Sequence, residues 1–308
     1  MEIANQWAGA TNLKAQVRPA MSSDKRDIVR LMRMSDYTHI HLDWRPPIDW
    51  LERGGFVVFA PSAPAQDSLA GKLFGNQPEV RACLAVGADP PPAAWVRVVC
   101  LQRNGRSEQV LAAMLAELEG TLRDTAVTQL GWLTMQPWPN KWLPELGFAR
   151  PYEIETYYKE NLQIPTHKTL PDLTIRQVEP DDMEQLAAIE SLAFEPLWRH
   201  SAEGLLFASR QAFSFDVAEW NGRIVGFQLS SRSGENAHLA RMTVLPEVQG
   251  QGVGSVLLAH ALQAFQQHDI RYVSLNTQTD NYPSQALYKK FGFYATGQRL
   301  PVWVKSLE

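Results

Sequence analysis

The clearest hydrophobic pattern lies in the second half of the chain. Residues 173–178 read as a short strand, and apolar positions at helical spacing predict a helix over 181–193. A helical or loop region follows at 196–211. Phe213–Trp220 and Arg223–Ser230 are two strand-like runs separated by Asn221-Gly222, a dipeptide that favours the tight two-residue hairpin turn. A strand over 237–244, a helix over 253–267, a strand over 271–277, a helix over 283–290 and a last strand near 293–305 complete the half. The pattern predicts a mixed sheet flanked by helices, an α/β (α+β) domain.

The first half repeats this plan in outline. Val17-Arg18-Pro19 followed by Asp24 and Ile28 answers Ile175-Arg176-Gln177 followed by Asp182 and Leu186, so each half opens on a strand and a loop aspartate placed to cap a helix. Arg97–Leu101 answers Arg241–Leu245, and the helical run Leu111–Leu122 answers Val256–Phe265. Leu146-Gly147-Phe148 answers Phe291-Gly292-Phe293, and Tyr157-Tyr158-Lys159 answers Trp303-Val304-Lys305. A drifted tandem duplication accounts for these matches. The expected organisation is a domain over 1–160, a linker over 161–172 in the aperiodic stretch around Pro165, and a domain over 173–308.

Composition narrows the class. With 308 residues, 45% hydrophobic and 20% charged, and a formal net charge of −4, the chain has room for two cores and no dominant basic surface for nucleic acid. Cys83 and Cys100 are its two cysteines, without the paired spacing of a zinc site, and a reducing cytoplasm is the expected compartment. Met1–Ala10 lacks the apolar core of a signal peptide, and no run reaches a membrane span, so neither membrane nor nucleic acid is an expected partner. His39 and His41 alternate as chelating residues can, but no further ligand lies near them in sequence and no metal is expected. Pro61–Gln77, rich in Ser, Ala, Gly and Pro, is expected to be a mobile loop.

The chemistry concentrates at Gln249-Gly250-Gln251-Gly252-Val253-Gly254, between a strand and a helix. Glycines let the backbone approach an anion, and the free amides of a helix N-terminus supply donors at the positive end of its dipole, an arrangement suited to a diphosphate. Two other phosphate motifs do not fit. Gly71-Lys72 is followed by Leu73 where a P-loop needs Ser or Thr, and the third glycine of a dinucleotide fingerprint is missing after Gly254.

This hexapeptide resembles the Gln/Arg-x-x-Gly-x-Gly/Ala signature of the GNAT superfamily of N-acetyltransferases. About 30 residues on, Asn281-Tyr282-Pro283-Ser284-Gln285-Ala286-Leu287-Tyr288-Lys289-Lys290-Phe291-Gly292-Phe293 is similar to that family's Asn-x-x-Ala-x-x-Leu-Tyr-x-x-x-Gly-Phe segment, with the small residue displaced. The resemblance covers 173–308, with a weaker one over 15–160, and implies two tandem GNAT domains, each a mixed, mostly antiparallel sheet flanked by helices. It implies acetyl-CoA as cosubstrate and a primary amine of a small molecule or protein as acceptor. The amides of Gln249, Gly250, Gln251, Gly252, Val253, Gly254 and Ser255 would hold the pyrophosphate, Met242, Thr243 and Val244 the pantetheine, and Asn281 the pantetheine arm. Tyr288 would protonate the departing thiolate, since a phenol stays protonated at neutral pH.

For the base that frees the attacking amine, the sequence offers His238 and Glu235; for the acceptor wall it offers Phe194, Trp198, His200 and Phe207. In the first half, Arg103-Asn104-Gly105-Arg106 replaces the glycine loop, Leu143 stands at the place of Tyr288 and Gln136 near that of Asn281, so that copy is expected to be degenerate. Two readings remain beside the enzyme: a non-catalytic acyl-CoA-binding regulatory protein, and an interaction module that binds no CoA.

Overall fold

A computed structural model describes residues 13–61 and 79–307. Met1–Ala10, Gly71-Lys72-Leu73 and all but the first residue of Pro61–Gln77 lie outside the described residues. The chain forms two compact units, Met1–Ala149 with Trp303–Glu308, and Arg150–Val302.

The first unit contains β1 (Val17–Pro19), α1 (Lys25–Met34), β2 (Tyr37–Ile40), β3 (Phe56–Phe59), β4 (Ala82–Ala88), β5 (Ala93–Leu101), α2 (Ser107–Leu122), β6 (Gln129–Leu133) and α3 (Pro139–Trp142). Its sheet runs β1-β3-β4-β5-β6. β4 is paired along one edge of β5 from Ala82↔Leu101 to Ala88↔Ala94. The other edge is divided: β6 pairs in parallel with Ala93, Ala94 and Trp95 only, and β2 pairs antiparallel with Val98–Leu101. Tyr37 of β2 is packed by Trp138 and Trp142, with ring centroids 5.4 and 5.0 Å away. Leu111, Met114 and Leu118 of α2 bury against Leu84, Val99 and Leu101 of the sheet, one helix stripe on one sheet face.

The second unit contains β7 (Ala149–Lys159), β8 (Leu173–Gln177), α4 (Met183–Ala193), α5 (Ala202–Ser209), β9 (Ser214–Trp220), β10 (Arg223–Ser233), β11 (Asn236–Val244), α6 (Val253–Gln267), β12 (Tyr272–Gln278), α7 (Tyr282–Lys290) and the first nine residues of β13 (Tyr294–Ser306). Its order, β8-β9-β10-β11-β12, repeats that of the first unit, with β7 added beside β12. Asn221 and Gly222 both take positive φ, 53° and 73°, the backbone that a tight hairpin turn requires of both central residues. Leu258, Leu262 and Phe265 of α6 pack with Leu239, Val273 and Leu275 of the sheet.

The division into units departs from the expected boundaries. β7 falls within the 1–160 segment expected for the first half, yet it pairs with β12 from Lys159↔Val273 to Ile154↔Gln278. Trp303, at the end of the chain, lies in the core of the first unit. No described helix is long and apolar enough to cross a membrane.

Candidate active site

β11 shows how the sheet opens a cleft. It is paired with β10 along its whole length, but its parallel pairing with β12 covers Asn236↔Tyr272 to Leu239↔Leu275 and then stops. From Ala240 to Val244 that edge has no paired strand among the described residues, while β12 stays paired with β7 along its other edge as far as Gln278. The register with β10 also slips between Leu229↔Arg241 and Ser230↔Leu239, so Ala240 is the extra residue of a bulge, a device that bends a strand and re-aims its groups. The edge therefore offers backbone donors and acceptors to an extended ligand.

A turn at Pro246–Val248 carries the chain from this edge to α6. Gly250 has φ +74°, and Gly252, the residue that begins α6, has φ +110°, conformations that residues with a Cβ rarely adopt. Ser255 N donates to Gly252 O at 3.0 Å, Gln249 N to Pro246 O at 3.2 Å and Gln251 N to Val248 O at 3.4 Å. These three amides are engaged by the turn and the first turn of the helix, which corrects the expectation that the whole run of amides faces a ligand. Among the described residues, the amides of Gly250, Gly252, Val253 and Gly254 have no backbone acceptor. They form an anion cradle at the positive end of a 15-residue helix. The Gln249 side chain braces the loop by donating to Val244 O at 2.9 Å, and Gln251 donates to Glu247 O at 3.3 Å.

A cavity of about 610 Å³ within the second unit joins cradle and open edge. Of the residues anticipated for the cofactor, Met242, Thr243, Val244, Gln249, Gly250, Gly252, Val253, Gly254, Ser255, Asn281 and Tyr288 line it, and Gln251 does not. Asn281 caps α7, accepting from Ser284 N at 3.3 Å. Tyr288 is 6% exposed and packs between Tyr157 and Phe293. Burial pushes its phenol up to about 12, against smaller opposing effects of the Arg241 charge and a hydrogen bond with Ser284.

Phe194 and Trp198 also line the cavity, whereas His200 and Phe207 do not. His200 belongs to a charged knot behind the wall. Glu190 of α4, 0% exposed, accepts from His200 Nδ1 at 3.1 Å, from Thr243 Oγ1 at 2.6 Å and from both Nε and an Nη of Arg241. Burial raises the Glu190 carboxyl, but the Arg241 and His200 partners outweigh it and hold it at about 2. Arg241, thus neutralised, lies 3.8 Å from the centroid of the Phe194 ring. Sequence reasoning missed Glu190, Tyr152, Glu195, Asn276 and Asp280.

The proposed bases are not at the cavity. His238 sits at the paired end of β11, its Nδ1 2.9 Å from Ser274 Oγ, with burial lowering its pKa. It lies four residues before Met242, about 13 Å along an extended strand. Glu235 is in the exposed turn before β11, 3.4 Å from Arg271. In the first unit, His39 and His41 rings lie 6.3 Å apart, but among the described residues no group of three or more potential metal ligands forms.

Residues 183–293 match the model of the acetyltransferase (GNAT) family. The chain is 26% identical over 125 residues, 41% of its length and 83% of the relative's, to a putative ribosomal protein bS18-alanine N-acetyltransferase of Bacillus subtilis. It is 30% identical over 122 residues to an uncharacterized N-acetyltransferase of Methanocaldococcus jannaschii, covering 39% of this chain and 78% of that one. Solved structures extend the likeness of fold to both units. A GCN5-related N-acetyltransferase from Sphaerobacter thermophilus matches with a TM-score of 0.57 at 16% identity, covering 95% of each chain. A tandem GNAT protein from the clavulanic acid biosynthesis pathway matches with 0.54 at 16% identity, covering 100% of this chain and 95% of its own. The chain belongs to the GNAT family of acyltransferases, and its fold is that of a tandem of two GNAT units.

Proposed function

We propose that the second unit binds acetyl-CoA and transfers its acetyl group to a primary amine by direct attack. The observation that carries this reading is the conjunction of the cradle with the unpaired edge Ala240–Val244 in one cavity. The free amides of Gly250, Gly252, Val253 and Gly254 suit a diphosphate, and the open edge suits the amide groups of a pantetheine arm. Bound there, acetyl-CoA supplies a thioester whose carbonyl an amine can attack.

The chain's own groups then have separate tasks. Backbone amides at the Ala240 bulge and beyond stabilise the negative charge that develops on the carbonyl oxygen. Asn281 fixes the start of α7 and so the position of Tyr288 one helix turn and more along it. As the new C–N bond forms and the C–S bond breaks, the Tyr288 hydroxyl gives its proton to the leaving sulfur and regains one from solvent. The proton lost by the amine passes to water at the open mouth.

Isothermal titration with acetyl-CoA tests the cradle. The wild-type chain should bind, and Gly252→Glu, which brings a Cβ to φ +110° and a negative charge to the diphosphate, should abolish binding. Unchanged affinity in a folded Gly252→Glu variant would remove the loop from the site.

A further inference from the structure

In the same cavity, aromatic rings and carboxylates from distant segments converge around Tyr152. Tyr152 of β7 donates its hydroxyl to Glu195 Oε2 at 3.0 Å and packs edge-on against Trp198, centroids 5.7 Å apart. Ile154 pairs with Gln278, and Thr279 N donates to Glu153 O at 3.0 Å, so the same antiparallel register brings Asp280 opposite Tyr152. Phe194 completes the wall, with Arg241 against its ring. The acidic and basic side chains that line the cavity are Glu195, Asp280 and Arg241. Since Glu190 already neutralises Arg241, the solvent-exposed Glu195 and Asp280 have no cationic partner among the described cavity-lining residues.

This arrangement constrains the acceptor. An amine is uncharged at the moment it attacks, so an acceptor with one amino group brings no positive charge into the reacting complex. The two carboxylates would then face a cavity that also holds an anionic diphosphate. A second cationic group on the acceptor relieves that repulsion, and the faces of Trp198 and Tyr152 favour such a cation further.

We propose that the acceptor is a dicationic amine, whose distal ammonium rests between Glu195 and Asp280 against Trp198 and Tyr152 while its other amino group reaches the thioester. The inference rests on the acyl-transfer reading of the same cavity. Tyr152 is a specificity-determining residue here: its hydroxyl fixes the direction of the Glu195 carboxylate.

Steady-state kinetics of the full chain with acetyl-CoA and a matched pair of amines, 1,4-diaminobutane and n-butylamine, provide the test. The diamine should have a kcat/KM at least ~5-fold higher, the scale of one exposed charge pair, and the advantage should shrink in ~0.5 M salt. The double substitution Glu195→Gln, Asp280→Asn should bring the two amines to near equality without changing KM for acetyl-CoA. Tyr152→Phe, which keeps the ring and removes the hydroxyl, should reduce the preference part of the way. Equal kcat/KM in the wild type, a preference that survives the double substitution, or turnover of peptide N-termini with neither amine used would each overturn the proposal. Titration with acetyl-CoA separates the two levels. Absence of binding would bring down the acyl-transfer reading itself, whereas binding with no diamine preference would bring down the acceptor alone.

Discussion

A phenol pushed up to about 12 is ionised nowhere in the neutral range, so Tyr288 can give a proton but cannot act as a base. Replacing Tyr288 with Phe keeps the ring that packs against Tyr157 and Phe293 and removes only the hydroxyl proposed as the acid. Single-turnover measurements should show kcat lower by roughly 10²- to 10⁴-fold with acetyl-CoA affinity unchanged. His39 is the opposite case, a histidine whose role is packing. Its Nε2 lies 3.1 Å from Val96 O, and burial lowers its pKa to about 4. Below pH ~6.5 an unfolded chain protonates this histidine while the folded one does not, so stability falls from there down to about pH 4, by about 3 kcal/mol at most. Thermal melts across that window should show the loss, and His39→Gln should flatten it. Tyr288 was legible because its motif is contiguous. Glu190 and Tyr152 were not, because their partners stand 51 and 43 positions away and no local pattern announces a pair at that separation.

At the scale of elements, the duplicated opening is the best case of a sequence match with a physical cause. Arg18 and Asp24 form a two-pronged pair at 2.7 and 2.8 Å, and Arg176 and Asp182 repeat it at 2.8 and 2.9 Å. Each aspartate also accepts from a backbone amide three residues earlier, from Met21 and from Glu179, closing the turn before the helix. The expected cap does not form: neither aspartate accepts from an amide of the helix that follows, and each instead closes the preceding turn, clamped by the arginine of the strand before it. The hairpin at Asn221-Gly222 was legible for a similar reason, since its turn is written in two adjacent residues. β7 was not, because whether a strand joins the sheet before it or after it depends on pairing that a single strand does not encode. The expected linker passes close to the glycine loop: a Cβ on Gly252 would sit 3.8 Å from the Cβ of Lys168. Lys168→Glu reverses a charge on this nearby segment and should raise the Kd for acetyl-CoA by about 5-fold at low salt while leaving the melting temperature unchanged.

Across the whole molecule, the two units share a strand order, and one pairing that differs between them falls at the cavity edge. The sequence showed the first copy losing its glycines, with Leu143 where the second copy has Tyr288. It did not show why the loss is harmless to the fold. The edge of β5 at Val98–Leu101 corresponds to the edge of β11 that is open, and β2 is hydrogen-bonded to it. A titration should therefore find one acetyl-CoA per chain, and two would contradict this account. The pairing also decides how the units answer to ligand. A segment tethered to the same chain competes at an effective concentration that free cofactor does not match. The first unit is in this sense permanently saturated, and its stability should not depend on how much acetyl-CoA is present. The second should gain stability beyond its own core as cofactor concentration rises, by mass action, so hydrogen exchange on α6 should slow as acetyl-CoA is added while exchange on α2 stays the same.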